Sequence, residues 1–285
     1  MLYLVLATIC FSLSFGIIKS SLVALRPELV VFLRLLIASL VFLPFVKKSK
    51  KHLLALLIGI IQFGIMYLCF IKSFQYFKGS EVALFTTTTP IFVVIFSSFF
   101  GEKFKPAYIL CVLLSVAGAI VATWGNLPVN IILKGILLIE ASNLSFALGQ
   151  VLWKKYINED EITLISSAYF GASLFVLPFL LLNVNFSSLV ISKMQILAIL
   201  YLGIIPTGLG FWLWNKGSKF VKFSTLAIMN NLKIPVSILF SILIFRESVN
   251  YFSFLTGSMV IILSILLMNY LLKKENWFYS FKLLS

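Results

Sequence analysis

The sequence predicts an all-α polytopic membrane protein: ten transmembrane helices built as two inverted five-helix repeats. Three observations carry that expectation. Of 285 residues, 61% are hydrophobic and 11% charged, with mean hydropathy +1.10, whereas soluble domains sit near half apolar and a quarter charged. The apolar residues run continuously for about twenty positions at a time, enough to cross a hydrocarbon core of about 30 Å, without the alternation of an outer-membrane barrel. Finally, motifs of the first half recur in order in the second.

The first span, 2–18, lacks the basic region and small-residue cleavage site of a removed signal peptide, so it reads as a retained helix. The second, 28–46, carries Arg34 about six residues in. A cluster of Lys47, Lys48, Lys50 and Lys51 then adjoins the single histidine, His52, which reads as a surface group at a membrane boundary rather than a catalyst. The third span, 53–71, carries Tyr67. Ser80 and Glu81 read as a helix start, with Ser80 as N-cap and Glu81 complementing the dipole. In the fourth, 82–100, Thr86, Thr87, Thr88 and Thr89 precede Pro90, whose missing N–H breaks the helix; their hydroxyls are placed to satisfy the freed backbone or to contact a substrate. The fifth is 107–124.

The second half reads as spans 131–152, 162–182, 195–214, 226–245 and 252–272. A tail, 273–285, carries Trp277, Phe278 and Tyr279, which suit the headgroup region. With the N-terminus inside, the inner connections hold fourteen Lys/Arg and the outer ones seven, so both termini are expected in the cytoplasm. These connections account for the net charge of +14 without a nucleic-acid partner; the partner they imply is the bilayer.

The two repeats are expected at 1–125 and 131–272. Gly59-Ile60-Ile61 recurs as Gly203-Ile204-Ile205, and at the same offset of 144 Gly64 matches Gly208, Lys72 matches Lys216, Lys78 matches Lys222 and Ser80 matches Ser224. Pro90 and Pro235, and Glu102 and Glu247, match at 145; Ser12 and Gly16 match Ser145 and Gly149 at 133. The two glutamates suggest a shared contact with a neighbouring loop. An odd number of spans per repeat turns the second copy upside down, a signature of alternating-access carriers with a site at the midplane.

The polar groups inside the spans mark that site. Residues 226–245 contain Asn230, Asn231, Lys233 and Pro235, and a lysine at such depth costs roughly 2.5 kcal/mol or more without a partner or water. Asn230 and Lys233 share a helical face with Ser237, and Pro235 pairs with Pro90 as a second helix break. Such broken helices are tolerated where they line a cavity. Glu140 lies about nine residues into the sixth span, on one face with Asn143, Ala147 and Gln150. Arg34 and Lys233 against Glu140 leave one net positive charge, which suits a substrate with one carboxylate; the other reading is an internal ion network among the three that orients helices. Tyr67 and Trp212 complete the candidate substrate site, while Trp214 reads as an interface residue.

Several classes are excluded or disfavoured. Cys10, Cys69 and Cys111 are scattered without C-x-x-C spacing, so neither a disulfide framework nor a metal site is expected. No G-x-x-x-x-G-K-[ST] loop occurs, so ATP is not the direct energy source, and no cofactor is implied. No Ser/His/Asp constellation suggests an enzyme. A binding or receptor protein without transport stays open as another class.

Two five-span repeats, each with a glutamate just before its last span, resemble the EamA-type branch of the drug/metabolite transporter superfamily over nearly the whole chain. Within it, LVFLPF at 40–45, IQFGIMY at 61–67, SNLSFALG at 142–149, GLGFWLWN at 208–215 and TLAIMNN at 225–231 resemble the bacterial biotin transporters. The resemblance implies uptake of biotin. Lys233 or Arg34 would then hold its carboxylate, Asn143, Asn230 and Asn231 its ureido group, and Tyr67 and Trp212 its bicyclic ring. Apart from the resemblance, the depth of Glu140 in its span suggests a group that exchanges a proton during an alternating-access cycle. Export of amino acids or related metabolites is the alternative that the superfamily offers.

Overall fold

The computed structural model describes residues 1–77, 79–123, 132–244 and 250–282, with the backbone alone for 79, 80, 188, 241 and 275–282. Among the described residues, ten helices are long and apolar enough to cross a membrane: Leu2–Leu22, Pro27–Phe45, His52–Ser73, Glu81–Phe99, Pro106–Thr123, Leu133–Tyr156, Glu161–Asn183, Lys193–Lys219, Phe223–Phe240 and Tyr251–Lys274, here spans 1 to 10. They follow the expected segments closely. The largest departures are at the ends: spans 1, 6 and 8 run on to Leu22, Tyr156 and Lys219, and span 9 stops earlier, at Phe240. The proposed cap at Ser80, Lys78, Arg246, Glu247 and the aromatic side chains of the tail lie outside what is described.

Local chemistry sets the helix starts. Pro27 opens span 2 with Glu28 in its first turn, where a proline loses no helical bond and a carboxylate favours the dipole. Asp160 caps span 7 through the Ile162 N–H, and Ser192 and Gln195 form a reciprocal capping box at span 8. His52, at the start of span 3, bridges the Lys47 carbonyl and Ser167 at 2.8 Å each.

Four spans leave regular geometry at points that matter below. Spans 3 and 8 each contain a π-helical segment, Ile60–Ile65 and Gly203–Gly210. Span 4 tightens to a 3₁₀ turn at Thr86–Thr88, and span 9 does the same at Asn230–Leu232, 144 residues later. Both turns lie just before a proline, Pro90 and Pro235. The carbonyl that Pro90 leaves free belongs to Thr86, and the Thr89 hydroxyl donates to it at 2.8 Å.

Packing pairs the two halves. Span 2 lies on span 7 and span 5 on span 10. Span 1 packs on spans 8 and 9, and span 6 on spans 3 and 4. Exchanging each span for the one five places on leaves this pattern unchanged. Spans 2 and 7 exchange bonds in both directions, Ser39 Oγ to the Ser166 carbonyl at 3.1 Å and Ser166 Oγ to the Ser39 carbonyl at 2.8 Å. Spans 5 and 10 meet at Gly118 and Gly257, where a Cβ on Gly257 would lie 2.1 Å from the Ala122 nitrogen. Two ion pairs join the start of one span to the end of the next, Glu28 to Lys72 at 2.8 Å and Glu161 to Lys219. Large apolar side chains such as Phe99, Leu133 and Leu182 cover the outside, a surface suited to lipid.

Candidate functional site

Spans 1, 2, 3, 4, 6, 8 and 9 surround a cavity with about 650 Å³ of space free of protein atoms, part of it open to the exterior. Seven of its eighteen lining residues are aromatic, Phe146, Phe211 and Trp214 among them. Eight more are Ser, Thr, Asn, Arg or Lys, and several of these have unused hydrogen-bonding capacity.

Arg34 is the most constrained of them. Only 1% of its surface is exposed. Its Nε donates to Thr207 Oγ1 at 2.8 Å and its Nη2 to the Tyr67 hydroxyl at 2.9 Å, while the guanidinium carbon stacks 3.9 Å from the centre of the Tyr67 ring. Among the described residues Nη1 has no partner and no carboxylate pairs with the side chain. A buried cation left without a counter-charge is strongly destabilising, and here only neutral groups meet it among the described residues.

Thr207 occupies the π-helical part of span 8, beside Pro206. The Tyr169 hydroxyl, from span 7, donates to the carbonyls of Thr207 and Gly208 at 2.6 and 3.0 Å. The irregular backbone that presents Thr207 is thus held by a neighbouring helix, as irregular structure at membrane depth requires.

Span 9 supplies Asn230 and Lys233. The Asn230 amide donates to the Leu226 carbonyl at 2.9 Å and to Gln150 Oε1 at 3.3 Å, leaving its own oxygen unpaired. Gln150 also accepts from the Trp214 indole at 3.0 Å. Lys233 borders the cavity with its Nζ 5.9 Å from the centre of the Phe146 ring and no ion pair among the described residues. Ser14, from span 1, also lines the cavity, and among the described residues its Oγ has no partner.

Span 6 supplies Asn143, whose amide is spent on span 4: it donates to the Phe85 carbonyl at 2.8 Å and to Thr88 Oγ1 at 2.9 Å. Thr88 Oγ1 in turn donates to Glu140 Oε2 at 2.8 Å, and Asn143 Nδ2 lies 3.4 Å from the same oxygen. Glu140 therefore faces hydroxyl and amide donors, not a cation.

Of the eight residues expected from sequence, Arg34, Tyr67, Asn143, Asn230 and Lys233 line the cavity, while Glu140, Trp212 and Asn231 do not. Asn231 points to the other side of span 9, where it donates to Ser115 of span 5 at 3.3 Å. Glu140 lies one turn from the wall, reached through Asn143 and Thr88. No ion pair joins Arg34, Lys233 and Glu140 among the described residues, so the internal network is not formed. The two tryptophans differ from expectation: Trp214 is 2% exposed, bonded and lining, whereas Trp212 faces Phe42 and Lys216. The π segment before them adds a residue to the turn and shifts the face that follows. Tyr67 also differs from expectation, since the Arg34 guanidinium already covers its ring. Thr207, Ser14 and Tyr169 were missed. Hydroxyls in apolar helices carry no charge signal, and only the position of Thr207 after a mid-span proline marks it.

Two segments, 1–124 and 133–270, match the model of the EamA-like transporter family. A probable biotin transporter of Pseudomonas aeruginosa is 33% identical over 275 residues, covering 93% of this chain and 96% of that one. The biotin transporter of Salmonella typhimurium is 30% identical, over 93% and 91% of the two chains. A solved crystal structure superposes with a TM-score of 0.79 over 95% of this chain and 96% of that one, at 18% identity, which is a likeness of fold.

Proposed function

The chain belongs to the EamA-like transporter family, as a multi-pass membrane transporter and not an enzyme, and from that premise we propose that it carries biotin into the cell. The observation that carries this reading is the unpaired Arg34 Nη1 in a wall that also holds Lys233 and no described carboxylate. Such a wall suits a substrate with a carboxylate and no ammonium group. An α-amino acid would bring its ammonium next to two cations and find no acid to receive it, so biotin fits better than the amino-acid alternative. The names of two relatives point the same way.

Biotin also carries an apolar bicycle and a ureido group. Phe146, Phe211 and Trp214 offer apolar and aromatic surface to the first. The free oxygen of Asn230 and the Ser14 hydroxyl offer partners to the second. The mechanism proposed is alternating access by inverted repeats, supported by the contact pattern that survives exchange of the halves. Pro90 and Pro235, each after a 3₁₀ turn, are the paired breaks about which spans 4 and 9 would bend.

The test is uptake of labelled biotin at nanomolar concentration in bacteria lacking their own transporter. Saturable uptake that unlabelled biotin competes away is expected. Arg34→Lys should lower it about tenfold or more, because one ammonium cannot take up the forked contacts of a guanidinium. Uptake by Arg34→Lys equal to wild type would move the carboxylate away from Arg34; no uptake by wild type in the membrane would reduce the function to transport of another substrate.

A further inference from the structure

We infer that the Tyr67 hydroxyl is a second donor to the substrate carboxylate, beside Arg34 Nη1, and that Thr207 positions it by donating to its oxygen. The inference deepens the reading of the cavity as a carboxylate site and rests on it.

It follows from counting hydrogens. A guanidinium only donates, so at 2.8 and 2.9 Å the oxygens of Thr207 and Tyr67 both accept from Arg34. The two hydroxyls are 3.2 Å apart, so one donates to the other. Thr207 has no exposed surface, and among the described residues its hydroxyl makes no bond beyond these two. If Tyr67 were the donor, the Thr207 hydrogen would be buried with no acceptor, which folded proteins avoid. Thr207 is therefore the donor, and the hydrogen of Tyr67 is left over. Tyr67 borders the cavity, whereas Thr207 stands behind it.

The leftover O–H and the unpaired Nη1 thus belong to two residues that line the same cavity, held to each other by a bond between Nη2 and the Tyr67 oxygen. A carboxylate has two oxygens to offer, one for each donor, and both contacts are charge-assisted. The face of the Tyr67 ring is under the guanidinium, so its contribution to binding comes from the hydroxyl rather than from stacking on the substrate.

Uptake kinetics of wild type, Tyr67→Phe, Thr207→Val and Thr207→Ser would test this, with biotin and its uncharged amide as competitors. Tyr67→Phe is expected to raise KM for biotin about tenfold at an unchanged maximal rate. Thr207→Val should do the same, and Thr207→Ser should behave as wild type. The amide, without a charge to hold, should compete equally against all four. An unchanged KM for biotin in Tyr67→Phe, or acid and amide weakened together, overturns the assignment. Wild type without biotin uptake overturns the substrate reading instead. The Tyr67 assignment is then read on purified protein from its thermal stabilisation by a panel of monocarboxylates, where equal stabilisation of wild type and Tyr67→Phe overturns it.

Discussion

Glu140 shows how much a single residue conveys and where that stops. A carboxylic acid nine residues into an apolar run is conspicuous, as are Arg34, Asn143, Asn230 and Lys233, because each is expensive there without a purpose. Cost exposes a residue but not its partner. Arg34 is served by Thr207 and Tyr67, and Glu140 by Thr88 and Asn143; hydroxyls of this kind are ordinary in membrane helices and give no warning in the sequence. The surroundings of Glu140 also define an experiment. Its contacts are donors to oxygen, which a glutamine oxygen can still accept, so Glu140→Gln removes charge and proton with little change of shape. If Glu140 exchanges a proton during transport, this variant keeps uptake and loses its dependence on external pH. Superimposable pH profiles would take Glu140 out of any coupling.

Helices were the most legible level, and their irregularities the least. Length and hydropathy place ten spans to within a few residues, and Pro90 and Pro235 announce the two breaks. The π segments in spans 3 and 8 leave no compositional trace, because they change the hydrogen-bond register and not the hydrophobicity. Trp214 reads in sequence as an interface residue for a simpler reason: the span is expected to end there, whereas it runs on to Lys219. Glycines are informative in another way. Span 10 lies so close to span 5 that a Cβ on Gly257 would meet the Gly118 carbonyl oxygen at 2.4 Å, the close backbone approach that small residues permit between membrane helices. Gly257→Leu is expected to destabilise by about 1–3 kcal/mol or more through overpacking, read as a lower Tm in detergent. Leu255→Ala, on an exposed position two residues away, should leave Tm near that of wild type. Equal melting of all three proteins would show that the two helices can separate without penalty.

Across the whole molecule, the ordered matches at 144 residues anticipated a repeat, and the 3₁₀ turns at Thr86–Thr88 and Asn230–Leu232 fall on that same offset. Which side of the membrane each end occupies is a separate question, answered in sequence only by the distribution of Lys and Arg. Fluorescent protein fused after residue 285 should be bright if the C-terminus is cytoplasmic, and alkaline phosphatase at the same place inactive. The reverse pair of results would invert the whole chain. The contact pattern has a consequence for biogenesis as well. Span 2 finds its partner in span 7, span 3 in span 6, and span 5 in span 10, so the first five helices enter the bilayer before the surfaces that cover them have been synthesised. During that interval Arg34 has no Thr207, and Gly118 has no Gly257. A nascent chain stalled after residue 123 would be an open half-molecule with its polar groups unanswered, a natural substrate for the proteases that police the membrane.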